Sequence, residues 1–397
     1  MKCLVLYLLV LISSGFAKAE SSVTLADYLK EVESQNLTLK ASRANLDAAE
    51  ARSVGVAIPE PMIAVTQMRD DSGSSNGYEI SQSIPFPTKL SNDHKARKLE
   101  AKVEAANALS ATREVLSQAR LLYISTWIAQ ERIQLLQERK NIIQQHLKLS
   151  RATTRSDSSL QIHSLKAESD FDLLENEIIE AEQTLVEKVI ALAEYAKTDS
   201  SQYRALALQE PPLTAVPSEN QLSSPSQLEA KRLQVEMLGA RESEAKSSWL
   251  PDFNVRYRDT GRTPMGAGFT EVMVGATLPF VFFWEPNAKS KSASAERLKA
   301  EADFQKERLN VNSKTSTLQS RAISLKKQID FISTKLLPRA EKRMRLVRNL
   351  APRDMESLQE HREGMEEFPD LKLKALDLRL QYEATVAELS SLASESK

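Results

Sequence analysis

Cysteine, glycine and long apolar runs are all scarce in this chain. One cysteine, Cys3, and ten glycines occur in 397 residues. Cys3 lies in a leader-like N-terminus: Lys2, an apolar run from Cys3 to Ile12, then Ala17-Lys18-Ala19. This pattern predicts a signal peptide over 1–19, cleaved before Glu20. The mature chain then has no thiol, which excludes a disulfide scaffold and a thiolate metal site. No mature segment approaches the ~18 uninterrupted apolar residues of a membrane-spanning helix. Charge of one sign is missing too. After the leader, 51 basic residues face 54 acidic ones, a formal charge of −3. No nucleic-acid partner is predicted.

Catalytic and metal-binding patterns are also missing. There is no G-x-S-x-G elbow, H-E-x-x-H pair or P-loop. His94, His146, His163 and His361 have no ligand spacing, so neither a metal nor a cofactor is predicted. Asn36-Leu37-Thr38 fits a glycosylation sequon, but the pattern is short enough to arise by chance.

What the chain does have is helix, and a plan stated twice. Leu, Ala, Glu, Lys, Ser and Gln dominate, a long-helix composition. Thr24 to about Ala57 reads as one helix, capped by Thr24 and stopped by Pro59 and Pro61. Two short alternating stretches follow, Met62–Met68 and Tyr78–Ile84, around a polar loop from Asp70 to Gly77. In the second stretch Tyr78, Ile80 and Gln82 share one face, and Glu79, Ser81 and Ser83 the other. Thr88 to Ser150 lacks proline and glycine, enough for a helix of roughly 90 Å. Leu121, Ile128, Leu135, Ile142 and Leu149 recur every seven residues, which predicts packing at a small angle. A turn at Arg151–Ser159 leads into a return helix ending near Ala196.

The second half repeats this order. A helix stops at Pro251. Phe253, Val255 and Tyr257 then alternate with Asn254, Arg256 and Arg258. After a loop at Gly261–Gly268, Val272, Val274, Ala276 and Leu278 alternate with Glu271, Met273, Gly275 and Thr277. A helix from Asn287 to about Leu350 carries Phe304, Val311, Leu318, Leu325 and Ile332 at seven-residue spacing. Pro338 predicts a kink there. Pro59 to Pro85 spans 26 residues and Pro251 to Pro279 spans 28. Ser164-Leu165 returns as Ser357-Leu358 at an offset of 193. We therefore expect two structural repeats, 20–197 and 226–397, joined by a proline- and serine-rich linker over 198–225.

Four short strands with one apolar face suit a membrane better than water. A spanning strand takes about 9–11 tilted residues, and an open sheet edge is forbidden in lipid. One chain offers four strands and the smallest barrels have about eight, so closure requires several copies. Three copies give twelve strands around a lumen. The run Phe280-Val281-Phe282-Phe283-Trp284 reads as an interfacial aromatic girdle or as a buried aromatic cluster.

At this point the chain resembles the outer-membrane efflux protein (TolC-like) family, over essentially all of its mature length. Gln82-Ser83-Ile84-Pro85-Phe86-Pro87-Thr88-Lys89-Leu90 is similar to the Q-x-x-P-x-P-G-K-L stretch of the heavy-metal and cation-efflux branch. Leu278-Pro279-Phe280 matches its second-half counterpart. Leu337-Pro338-Arg339-Ala340-Glu341 resembles the family's L-P-x-A-E helix, and Ser164-Leu165-Lys166-Ala167-Glu168 the segment after the first turn.

The resemblance implies a mainly α fold with a small β part. Its trimer forms a twelve-stranded outer-membrane β-barrel, continued by a twelve-helix periplasmic tunnel. It further implies a membrane-fusion adaptor and an inner-membrane transporter as partners. Departures are Thr88 for the usual glycine, no glycine in Arg348–Arg353, and Gly364 and Pro369 in the last helix, where Pro369 predicts a break or kink. The turns carry the candidate entrance residues: Arg151, Arg155 and Asp157 at the first, Arg353, Asp354 and Glu356 at the second. As threefold rings these could lock a closed iris or select ions, or they could be ordinary solvated turns. The rival reading is a soluble periplasmic coiled-coil adaptor or scaffold with two incidental hairpins.

Overall fold

The computed structural model describes residues 23–393 apart from 71–72, 154–157, 201–202, 204–207, 223–225, 263–267 and 349–354. The leader at 1–19 lies outside the described residues.

The first helical segment is two helices, not one. α1 (Leu25–Gln35) and α2 (Leu37–Ser53) meet at Asn36, whose ψ of 129° is extended. The reason is local chemistry. The Asn36 carboxamide oxygen accepts from the N–H groups of Thr38 and Leu39, capping α2, and its Nδ2 donates to the Tyr195 carbonyl. The cap at Thr24 is as expected: its Oγ1 accepts from Asp27 N at 3.2 Å.

Strand β1 (Met62–Asp70) pairs antiparallel with β2 (Gly73–Ile84). The predicted loop at Asp70–Gly77 is therefore mostly strand, with Asp70 opposite Gly73. β3 (Phe253–Asp259) pairs with β2, and β4 (Thr270–Ala276) with β3. The two hairpins thus form a single sheet of order β1-β2-β3-β4.

The long helices hang from this sheet. α3 (Pro87–Thr153) has 67 residues, about 100 Å of rise, and α4 (Ser158–Ala196) returns beside it. A four-residue helix, α5 (Glu219–Leu222), precedes α6 (Ser226–Lys246). α7 (Trp284–Phe331) continues through a π-helical turn, Ile332–Leu336, into α8 (Leu337–Arg348). α9 (Met355–Leu392) is the last helix. The disturbance expected at Pro338 takes the form of that π turn, one turn N-terminal to the proline that lacks an N–H. The Ser333 and Thr334 hydroxyls donate to carbonyls of the preceding turn.

The break expected at Pro369 does not occur: α9 is continuous. A proline removes one hydrogen bond, and tertiary contacts hold the helix on both sides of it. Arg343 of α8 binds Glu367 at 2.9 Å, and Arg139 of α3 approaches Asp370 at 3.6 Å.

The helices form a layer. Near the sheet α3 packs between α2 and α6, and α6 against α7. Farther away α3 packs between α4 and α9, and α9 against α7 and α8. Away from the sheet, α4 is thus one free edge of the layer and α7 with α8 the other; beside the sheet the edges are α2 and α7.

A candidate membrane sheet on a helical wall

The register sorts the sheet residues onto two faces. Ile63, Val65, Tyr78, Ile80, Phe253, Val255, Tyr257, Val272 and Val274 share one face. That face is uncovered: Val65 is 83% exposed and Val274 71%. In water each such side chain forgoes about 1.5–3 kcal/mol of burial. Ser75, Glu79, Ser81, Asn254, Arg256, Arg258 and Glu271 lie on the opposite face.

The polar face has a centre. Glu79 is buried, with Arg258 donating to it at 2.8 and 3.0 Å and Arg256 forming an ion pair with it at 3.2 Å. Two arginines two residues apart on one strand face repel unless a carboxylate stands opposite. Here β2 of the first hairpin supplies that carboxylate to β3 of the second. Gly77 allows the same two strands to meet at the far end. A Cβ there would lie 2.1 Å from the Asp259 carbonyl oxygen. Neither the Glu79 centre nor the Gly77 contact was predicted; the only signal was the Arg-x-Arg alternation.

At the root of the sheet, Asp252 ties strand to helix. Its carboxylate accepts from Lys89 Nζ at 2.8 Å and from Phe86 N at 3.1 Å. Phe86 stacks on Phe253 at 6.2 Å. The aromatic run lies just beyond β4, on a 3₁₀ turn from Pro279 to Phe282 and the start of α7. Phe282, Phe283 and Trp284 are 57%, 60% and 58% exposed, with both phenyl rings edge-on to the indole at 5.4 Å. Within the single chain these three side chains are uncovered. The side chain of Phe280 is outside the described residues.

Midway along the helices a belt forms around buried tyrosines. Tyr28 donates to the Leu192 carbonyl, and Tyr123 to the carbonyls of Val23 and Gln209. Val23 and Leu208 form a parallel bridge. Burial pushes the Tyr123 phenol up to about 12 and raises Tyr28 further, so both stay protonated donors. Arg379 of α9 secures the linker through Glu210 and the Pro211 carbonyl, and lies 4.5 Å over Trp127.

At the far end, Arg362 of α9 binds Asp170 of α4 at 2.7 Å and Glu366 at 3.1 Å. Gly364 admits α8: a Cβ there would stand 2.8 Å from Val347 Cγ2. Burial lowers the pKa of His361 beside it. Of the predicted turn residues, Arg155, Asp157, Arg353 and Asp354 lie outside the described residues. Arg151 falls in α3 and Glu356 in α9, with their side chains likewise outside. Among the described residues no three His, Cys, Asp or Glu side chains are grouped to hold a metal ion, and no helix is long and apolar enough to cross a membrane.

No protein-family description matches the chain, and no curated protein sequence is similar to it. Solved structures are similar. The CmeC outer membrane channel of Campylobacter jejuni is 12% identical, with 94% of this chain and 87% of that one covered and a TM-score of 0.77. The MtrE outer membrane channel of Neisseria gonorrhoeae, in its open state, is 13% identical, with 93% and 88% covered and a TM-score of 0.75. CusC, whose structures describe transmembrane channel formation, is 13% identical, with 94% and 92% covered and a TM-score of 0.71. This chain has the fold of an outer-membrane channel subunit.

Proposed function

We propose that this chain is the outer-membrane component of a tripartite efflux or secretion system, a TolC-like passive conduit rather than a catalyst. The observation that carries this reading is the sheet: four strands, apolar on one face, polar on the other, on helices of about 100 Å. Lipid is the solvent that suits such a face. Lipid also forbids the free edges of β1 and β4, which a ring of copies would pair. Three copies make twelve strands, with the Glu79, Arg256 and Arg258 face toward the lumen and Phe280, Phe282, Phe283 and Trp284 at the membrane interface.

In this reading the helical layers join into a periplasmic tunnel. Residues 20–197 and 226–397 are its two structural repeats, with 198–225 in the belt between them. The tips, with Arg151, Arg155, Asp157, Arg353, Asp354 and Glu356, form the entrance and meet a membrane-fusion adaptor served by an inner-membrane transporter. The exposed apolar side chains on the free edges, Leu173 and Ile179 of α4 and Leu309 and Ile323 of α7, favour neighbouring copies there. A soluble adaptor has no use for an uncovered apolar sheet. Fractionation with chemical cross-linking tests the proposal. Recovery from the outer membrane as a trimer is expected; recovery as a soluble monomer would overturn it.

A further inference from the structure

The two free edges of the helical layer carry opposite charge. α4, at one edge, holds nine acidic and two basic residues over 158–196. The other edge, from Arg308 to Arg348, holds eleven basic and two acidic. In a chain with net charge −1, such segregation needs a reason.

The contact between α3 and α9 inside the chain supplies a template. Leu136 and Ile143 turn α3 toward α4. Arg139, three residues after Leu136, leaves that seam and approaches Asp370 of α9; Arg132, seven residues earlier, binds Asp377. On α7, Leu318 and Leu325 pack toward α9, and buried Ile332 follows at the same spacing. Three residues after these come Arg321, Gln328 and Lys335. By that spacing Arg321 and Gln328 fall on the flank of α7 that Arg132 and Arg139 occupy on α3, and Lys335 follows on the π turn.

The return helices correspond in the same way. At the 193-residue offset, Asp370 and Asp377 become Glu177 and Thr184 of α4. Leu373 and Leu380, which α9 packs into the apolar clusters shared with α3, become Glu180 and Glu187. The same positions that are partly apolar within the chain are acidic at its free edge. Glu177, Glu180, Arg321 and Lys335 are exposed and form no ion pair among the described residues.

We infer that the tunnel closes between copies through an ion-pair seam. Glu177, Glu180 and Glu187 of α4 in one copy face Arg321 and Lys335 of α7 and its π turn in the next. Rotation about a common axis preserves height. The Arg139–Asp370 rung within a chain therefore becomes Lys335–Glu177 between chains, and Arg132–Asp377 becomes Gln328–Thr184. The occupant of each free edge is a second copy of this chain, matched by charge.

This inference rests on the proposed trimeric channel, and the test separates the two. Full-length protein, extracted from membranes in detergent, is treated with a carbodiimide, which joins only carboxylates and amines in contact. Linked peptides are identified by mass spectrometry. Within one chain α4 and α7 lie at opposite edges, so a Glu177–Lys335 link is intermolecular. That link is expected, and it disappears in Glu177→Gln. Reversing Glu177, Glu180 and Glu187 to Lys should lower trimer recovery about fivefold, and adding Arg321→Glu and Lys335→Glu should restore it. A trimer without α4–α7 links, indifferent to both reversals, would overturn the seam and leave the channel reading intact. A soluble monomer would overturn both.

Discussion

The two long helical hairpins are nearly matched in length and differ in their interiors. In the first, α3 runs 67 residues without a break and α4 packs on it with Leu174, Ile178 and Ala181. Phe171 packs against that cluster, and Lys140 lies 5.3 Å over its ring. In the second, 193 residues on, the place of Phe171 is taken by Gly364, and Val347 of α8 moves into the space. The second hairpin also has a π turn before Pro338 and carries Pro369 in α9. One repeated plan thus supplies a stiff hairpin and one with weakened backbone. In the ring proposed above, the second hairpin would be the one to bend and the first the one to hold the wall.

Four substitutions would sharpen or break this contrast. The largest effect is expected from Gly364→Val, which forces a side chain against Val347 and should cost about 1–3 kcal/mol. Thermal unfolding should show a loss that no β-branched substitution at exposed Asp172 of α4 matches. Next, Asn36→Ala removes the α2 cap and leaves the Tyr195 carbonyl without its donor, a loss of about 1–2 kcal/mol that denaturant titration would measure. Pro338→Ala returns an N–H to the helix. Amide exchange over residues 332–336 should then slow several-fold, while α3 at 132–142 is unchanged; equal change in both would break the contrast.

The smallest effect is a pH dependence. His361 is held below its ordinary value of 6.5 by burial, so the unfolded chain takes up a proton first as pH falls. Its contribution to stability is intact above 6.5 and declines below it, toward the folded pKa. His361→Asn should flatten the pH profile of unfolding on the acid side only. A profile unchanged by the substitution would remove His361 from the account.

Much of this architecture was legible because it rests on periodicity. The alternation of Phe253, Val255 and Tyr257 fixed the faces of β3 before any partner was known. The seven-residue spacing of Leu318, Leu325 and Ile332 marked the face of α7 that is buried. What stayed hidden depends on partners far away in sequence. Gly73 to Gly77 is polar, and only pairing with β1 makes it strand. Asn36 looked like a chance sequon, and Tyr195 is 159 residues away. Pro369 reads as a breaker in isolation, yet Glu367 and Asp370 hold its helix to α8 and α3. The entrance residues remain expectations from the turns alone.

The central claim is that one face of the sheet meets lipid and the other a lumen. Neighbouring positions on β4 test it directly. An arginine at the midplane of a lipid-facing strand costs about 2–4 kcal/mol, whereas the lumen face tolerates it. Val274→Arg and Met273→Arg would be expressed in parallel, and the membrane-inserted trimer of each quantified. Loss of the trimer with Val274→Arg and its retention with Met273→Arg is the predicted result. Equal recovery of the two would contradict it.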